Sequence, residues 1–481
     1  MKRLLISAAH KSSGKTTLTT GLCAAFTAQG RSVQPFKKGP DYIDPMWLAR
    51  AAGRPCFNLD AHLMDAAALE HCFSAGMKGA DLALVEGNKG LYDGLALDGS
   101  NSNAALAHQL GLPVLLVIDA RGMTRGIAPL ILGYQAFDRA LRIGGVILNR
   151  VGGARHEAKL RAVIEHYTDL PVLGAVAEDA RLAVLERHLG LVPCAELGDA
   201  HERIGTIGRI IGAQVDLERV LALAASAGPI PFAAAMRGTP ARASSGAGSR
   251  APRVRIAIAR DRAFGFYYPD DLAALQVAGA ELVSIDTLRD THLPAVDGLF
   301  IGGGFPEACM GELEANAALR ESLRSAIEAG LPTYAECGGL MYLSRSITWR
   351  GRSAQMVGAI PGDALMHERP VGRGYVQLQE TLAMPWAGAD ADVHRGHEFH
   401  HSSLENLDPG VAFAYRVQRG HGVDGTHDGV LVHNLLASYA HLRSAAGSLW
   451  APRFVAFVAR VRTQAQGRSH AATPAGATLS A

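Results

Sequence analysis

Gly14-Lys15-Thr16-Thr17 follows Ala9-His10-Lys11-Ser12-Ser13, with the apolar run Leu4–Ala8 before it and a helical pattern after it. Strand, glycine-marked loop and helix in that order is the setting of a phosphate-binding loop. Backbone N–H groups and the helix N-terminus would hold the phosphates. Lys15 would reach the β- and γ-phosphates and Thr16 would bind Mg²⁺, with Gly14 and Thr17 completing the loop. The first position, usually glycine, is Ala9 here. A serine- and glycine-rich turn that merely caps a helix would not require Gly-Lys-Thr-Thr in this register.

Two further segments fit the same site. Lys37-Lys38-Gly39-Pro40-Asp41-Tyr42-Ile43-Asp44-Pro45 follows a second apolar run, and Val85-Glu86-Gly87-Asn88-Lys89-Gly90 closes a third. Both fall at carboxyl ends of predicted strands, where open α/β sheets bind ligands. Thr16, Asp41 and Glu86 are the expected Mg²⁺ ligands, and Asp41, Asp44, Glu86 and Lys89 the expected groups around phosphoryl transfer. Asp41 and Asp44 also stand where a helix beginning near Pro45 needs a cap, a role that suits Asp44. These residues by themselves say only ATP or GTP with Mg²⁺.

A second chemistry lies in Tyr334-Ala335-Glu336-Cys337-Gly338-Gly339-Leu340. A cysteine between an apolar strand and a helix, with glycines beside it, is the sulfur form of a nucleophile elbow. The helix N-terminus behind it favours the thiolate. Phe300-Ile301-Gly302-Gly303-Gly304-Phe305 ends another strand in a glycine-rich turn, so amides at Gly303, Gly304 and Gly338 are the candidate oxyanion donors. Cys23, Cys56 and Cys72 read as small buried hydrophobes. A thiolate needs a proton carrier, and 19 histidines leave that choice open on composition alone.

The elements that must position these groups form two series. Apolar runs at Leu4–Ala8, Ser32–Phe36, Leu82–Glu86, Val114–Asp119, Gly145–Asn149 and Val172–Val176 alternate with helical patterns, which predicts a parallel sheet covered on both faces. The pattern breaks at residues 228–253, rich in Gly, Pro, Ser and Ala, which read as a flexible linker. It restarts with Val254–Ala259, Leu282–Ile285, Leu299–Ile301 and Thr333–Ala335. The expected organisation is an α/β phosphate-loop domain over 1–227, a second α/β domain over 254–462, and a disordered tail over 463–481. At 481 residues, two folding units are the natural count. Forty-seven Lys and Arg against 45 Asp and Glu leave a charge of +2, which argues against a nucleic-acid surface spread over the protein. Six cysteines without zinc-type spacing, no secretory signal and no run of about 18 apolar residues point to the cytoplasm, away from membranes.

Together the landmarks resemble the cobyrinate a,c-diamide synthase family. The segments that carry the likeness are Gln34–Pro45, Asn58-Leu59-Asp60, Gly90-Leu91-Tyr92-Asp93-Gly94, Leu148-Asn149-Arg150-Val151, Arg187-His188-Leu189-Gly190-Leu191 and Ala437-Ser438-Tyr439-Ala440-His441-Leu442. The family implies a dethiobiotin-synthetase-like domain joined to a class-I glutamine amidotransferase domain. It implies His441 as the base for Cys337, and a Cys–His dyad, because Arg443 stands two positions downstream where the wider class carries a Glu. The histidines of Arg395-Gly396-His397-Glu398-Phe399-His400 are expected at the domain interface or substrate region, and His427 and His433 at the surface. Glutamine, ATP with Mg²⁺, and a tetrapyrrole polycarboxylate amidated at two acetate groups are the implied ligands, and a homodimer is left open. Gly87-Asn88-Lys89-Gly90 and Ser100-Asn101-Ser102-Asn103 depart from the family pattern. They keep open a related substrate such as sirohaem, with Lys89 pairing a peripheral carboxylate. A MinD-like ATPase switch is the rival from another class, though it has no use for Cys337 and His441.

Overall fold

The computed structural model describes residues 1–183, 186–187, 190–193, 196–230, 253–386, 392–445 and 449–471. His188 and Leu189, most of the expected linker and the end of the chain lie outside the described residues. The chain divides into two compact units, residues 1–245 and 246–481.

The first unit is built on seven parallel strands: β1 (Lys2–Ala8), β2 (Val33–Lys38), β3 (Phe57–Leu59), β4 (Leu82–Glu86), β5 (Val114–Asp119), β6 (Ile143–Val151) and β7 (Val172–Ala177). Their order across the sheet is β3-β2-β4-β1-β5-β6-β7. Helices cover both faces, so the strands carry almost no polar side chains until their carboxyl ends. Leu4, Leu5, Ile6, Leu115, Val117 and Ile147 are fully buried. β3, which pairs with β2, was too short to register as an apolar run. Helix α1 (Lys15–Ala28) follows the phosphate loop directly. It lies close against the helix Ala200–Gln214 through two glycines: a Cβ on Gly21 would sit 2.4 Å from Ile211 Cγ1, and one on Gly208 2.7 Å from Ala24 Cβ.

The second unit has a mixed ten-stranded sheet. Five strands are parallel, in the order Ala280–Ile285, Val254–Ala259, Gly298–Ile301, Thr333–Glu336 and Leu435–Ser438. The sheet then continues antiparallel through His427–Val432, Ala412–Arg419, Gly372–Glu380, Val393–His400 and His441–Leu442. This antiparallel half was not legible in the sequence. Only Tyr439 and Ala440 separate Leu435–Ser438 from His441–Leu442. Two linking residues reach about 11 Å at most, so the intervening strands must curl until the first and last nearly meet. That curl returns His441 to the side of Cys337. The helix Trp450–Ala471 packs Trp450, Phe454 and Phe457 against Tyr334 and Trp386, and it continues past residue 462, where the sequence suggested a tail. Among the described residues no helix is long and apolar enough to cross a membrane.

The close helix contact yields a test. Gly208→Ala should destabilise the first unit by about 1–3 kcal/mol through overpacking. Gly212→Ala, whose Cβ would meet Ala25 Cβ at an ordinary 3.4 Å, should be neutral or stabilising. Urea denaturation of the two variants checks the contrast.

Candidate functional site

The phosphate loop, β2 and β4 open onto a cavity of ≈ 390 Å³ lined by Gly14, Lys15, Thr16, Thr17, Asp41, Asp44, Glu86 and Lys89, among others. Every first-site residue expected from the sequence therefore lines one cavity. Gly14 has φ +84, and a Cβ there would strike Asn149 Nδ2 at 2.2 Å, so glycine is required. That Asn149 amide donates to Ser13 O at 2.9 Å and fixes the loop from β6. Lys15 Nζ donates to Lys89 O at 2.6 Å and His10 O at 3.5 Å. Burial, reinforced by the nearby Lys37 charge, pulls Lys15 down to about 8 against the opposing carboxylates. Lys89 itself has φ +41 and an exposed side chain on the cavity wall. A second cavity of ≈ 300 Å³ shares Gly14, Thr17, Arg150, Leu182 and Ala183 with the first.

The carboxylates meet at the loop. Thr16 Oγ1 donates to Glu86 Oε1 at 2.8 Å and to Asp44 Oδ2 at 3.2 Å. Lys37 Nζ reaches the same two oxygens, at 2.6 and 2.5 Å, and lies 3.7 Å from Asp41 Oδ2. The helix cap falls to Asp41 rather than Asp44. Asp41 Oδ1 accepts from Ile43 N at 2.9 Å and Asp44 N at 3.1 Å, at the start of α2 (Ile43–Ala52). Asp44, one residue into the helix, is thereby turned toward Thr16. Burial and the Asp44 charge raise Asp41 to about 7. Burial resists ionisation of Asp44, but Lys37 and its hydrogen bonds hold it below its ordinary value. Burial raises Glu86. Glu86 Oε2 is buried without a hydrogen-bond partner. An open carboxylate oxygen beside a threonine hydroxyl and further carboxylates is a hard-oxygen donor set that fits Mg²⁺. The structure draws Asp44 closer to Thr16 than the expected Thr16, Asp41 and Glu86 set implied.

The unusual segment 100–103 is structural. Ser102 caps the helix Asn103–Leu110. Asn103 Nδ2 donates to Ser7 Oγ and to the carbonyls of Asn88 and Gly90, which ties the Lys89 loop to β1.

In the second unit Cys337 lies at a sharp strand-to-helix turn with φ 47 and ψ −102, a strained conformation for a residue with a side chain. Its N–H donates to Ser438 O at 2.7 Å. The neighbouring glycines leave no room for side chains. A Cβ on Gly339 would lie 2.3 Å from Ile301 O, one on Gly338 2.9 Å from Gly304 N, and one on Gly303 2.7 Å from His441 Cε1. The three proposed oxyanion glycines are thus gathered around the cysteine and histidine.

His441 is hydrogen-bonded to the Cys337 thiol. Its Nδ1 meets Glu336 Oε2 at 3.1 Å. The dyad expected from Arg443 is therefore completed by a carboxylate from the residue before the nucleophile. The other Glu336 oxygen accepts from Tyr334 OH at 2.8 Å and Leu442 N at 3.0 Å, so the carboxylate is firmly held. Arg443 pairs instead with Asp270 Oδ2 at 2.7 Å. Burial works against a charged His441, but the bonds to Cys337 and Glu336 outweigh it and raise the imidazole to about 10. Asp428 secures the preceding turn, accepting from Ser438 Oγ, Tyr439 N and Ala440 N at 2.6, 3.0 and 3.1 Å. His397 and His400 lie inside this unit: His397 stacks on His441 with ring centroids 5.0 Å apart, and His400 on Tyr439 at 4.0 Å. Cys23, Cys56 and Cys72 are buried, as expected. Glu336 carries no local signal of this role, because the wider class places the carboxylate after the histidine.

Comparisons with known proteins agree with this division. Residues 5–191 match the model of the CobQ/CobB/MinD/ParA nucleotide binding domain, and residues 255–448 that of the CobB/CobQ-like glutamine amidotransferase domain. A cobyrinate a,c-diamide synthase of Magnetococcus marinus is 48% identical, over 95% of this chain and 97% of its own length. The Methanosarcina acetivorans protein of the same name is 44% identical over 93% of this chain and 94% of its own. That of Listeria monocytogenes serotype 4b is 38% identical over 92% of this chain and 96% of its own.

Glu336→Gln should lower glutaminase turnover by about 100-fold or more, since the imidazole loses its charged acceptor and the orientation that it sets. It should also bring the His441 titration down, which NMR of the ring protons would follow. The sign for stability follows from a raised folded-state value. The His441 interactions contribute fully below the unfolded histidine value of about 6.5 and are lost as pH rises through about 10.

Proposed function

The chain belongs to the cobyrinate a,c-diamide synthase family, and from that premise we propose that it converts the a and c acetate carboxylates of cobyrinic acid to amides in cobalamin biosynthesis. Glutamine is the nitrogen donor and ATP the activating cosubstrate. The observation that carries this reading is the presence, in one chain, of a phosphate-loop cavity walled by carboxylates and a Cys337–His441–Glu336 array.

In the second unit the Cys337 thiolate attacks the side-chain amide carbon of glutamine. Amides around Gly303, Gly304 and Gly338 would hold the oxyanion. His441 gives its proton to the departing nitrogen, which leaves as ammonia while the γ-glutamyl group stays on the Cys337 sulfur as a thioester. His441 then takes a proton from water, which cleaves the thioester to glutamate and restores the thiolate. Glu336 keeps Nδ1 as a donor throughout, so that Nε2 serves the reaction.

In the first unit an oxygen of the substrate carboxylate attacks the γ-phosphorus of ATP and ADP leaves. Lys15 offsets charge on the transferred group. Mg²⁺, held by Thr16, Asp44 and Glu86 with Asp41 beside them, would neutralise the β- and γ-phosphates. Ammonia adds to the acyl phosphate carbonyl and expels phosphate. Each cycle consumes one ATP, one glutamine and one water, and yields one amide, ADP, phosphate and glutamate.

A second reading keeps this chemistry and changes the macrocycle to sirohaem. It is favoured by Lys89, whose exposed ammonium on the cavity wall suits a peripheral carboxylate. A switch ATPase would leave the Cys337 array without purpose.

The purified protein should be given ATP, Mg²⁺ and glutamine with cobyrinic acid and sirohaem offered separately, and the products weighed by mass spectrometry. Two successive amidations of cobyrinic acid are expected, and amidation of sirohaem alone would move the protein to the second reading. Cys337→Ala should abolish the glutamine-dependent reaction yet retain the one driven by ammonium salts, whereas Lys15→Met should lose both. Loss of ammonium-driven turnover in Cys337→Ala would contradict the division of labour.

A further inference from the structure

Lys37, at the carboxyl end of β2, is 3% exposed and takes no part in the reaction described above. Its ammonium lies 2.5 Å from Asp44 Oδ2 and 2.6 Å from Glu86 Oε1, the two oxygens that also receive the Thr16 hydroxyl. Asp41 Oδ2 stands 3.7 Å away. Lys15, the other cation of the loop, donates to the backbone carbonyls of Lys89 and His10. Buried Cys23 and Cys56 have their thiols raised by burial and by the Glu86 charge, which places them within its field and marks the neighbourhood as poorly hydrated. Glu86, whose side chain is fully buried, cannot rely on water and needs a cation in contact, and the partly buried Asp44 shares that cation.

We propose that Lys37 is a resident counter-ion. It holds Asp44 and Glu86 in position before nucleotide binds, and it competes with the divalent cation for the same oxygens. Divalent charge brought to Asp44 Oδ2 and Glu86 Oε1 meets an ammonium already bound there, and like charges at such separation repel strongly in a buried site. Nucleotide phosphates bring the negative charge that offsets this repulsion. The free protein therefore binds Mg²⁺ weakly and takes it up with ATP, so the site is not loaded with metal ahead of its cosubstrate. This inference rests on reading the first cavity as a Mg²⁺–nucleotide site.

The test uses the full-length chain, Mg²⁺ alone as the probe, and isothermal titration without nucleotide. Lys37→Met should bind Mg²⁺ at least roughly tenfold more tightly than wild type, because the competing charge is gone. Its melting temperature without Mg²⁺ should fall by several degrees and be largely restored by Mg²⁺, while wild type shifts little. The double variant Lys37→Met/Glu86→Gln should recover stability without metal, which distinguishes lost charge balance from lost packing and remains measurable if the single variant fails to fold. Equal or weaker Mg²⁺ binding by Lys37→Met, or a double variant no more stable than the single one, would overturn the proposal. If wild type takes up Mg²⁺ with ATP in either case, the nucleotide reading stands and only the role of Lys37 falls. If neither protein binds Mg²⁺ even with ATP, both readings fall together.

Discussion

A carboxylate that ends a buried parallel strand cannot be hydrated, so its neighbours must supply donors, and each half of this protein is organised around one such group. Glu86 is the last residue of β4 and fully buried, and Glu336 is the last residue of Thr333–Glu336 and 2% exposed. Glu86 draws in the Thr16 hydroxyl from the phosphate loop and the Lys37 ammonium from the adjacent strand. Glu336 draws in the His441 imidazole, the Tyr334 hydroxyl and the Leu442 N–H. The polar groups that satisfy each carboxylate are the ones to which the proposed mechanism, or the proposed counter-ion, gives a role. Burial thus does two things at once: it demands partners, and it gives their electrostatic interactions weight that they would lack in water.

The surrounding fold acts mainly to hold those partners at the right strand ends. In the first unit the parallel sheet aligns the phosphate loop, the Asp41–Asp44 turn and the Glu86 turn along one edge, and glycines at positions 14, 21 and 208 allow the loop and its helix to pack close. In the second unit Cys337 is held away from ordinary backbone geometry, at φ 47 and ψ −102. That departure is sustained by the Ser438 carbonyl on its N–H and by glycines beneath it that leave no space to relax. His441 arrives by a longer route, around the curled antiparallel strands, and Asp428 fixes the turn that delivers it.

What could be read in the sequence was what is local. The phosphate loop, the Asp41–Asp44 turn, the Glu86 turn and the cysteine elbow are each set by a few adjacent residues, with glycines that mark their special backbone. The parallel strands announced themselves as apolar runs. The antiparallel half did not, because its strands mix polar and apolar positions and pair across long stretches of chain. For that reason nothing local announces the Glu336–His441 contact, which spans 105 residues. The exchange of roles between Asp41 and Asp44 had a similar cause. Both can cap the helix, and only the position of Thr16 decides which is left to face the cavity. Nothing in the immediate sequence of Lys37 reveals that carboxylates from two other segments converge on it.

The central claim is that the first unit activates a carboxylate as an acyl phosphate, and an oxygen label tests it most directly. The substrate carboxylates would be prepared with ¹⁸O, turned over with ATP and glutamine, and the released phosphate analysed by mass spectrometry. Transfer through an acyl phosphate predicts one ¹⁸O in the phosphate for each amide formed. Unlabelled phosphate accompanying amide formation would contradict the account, whatever the substrate proves to be.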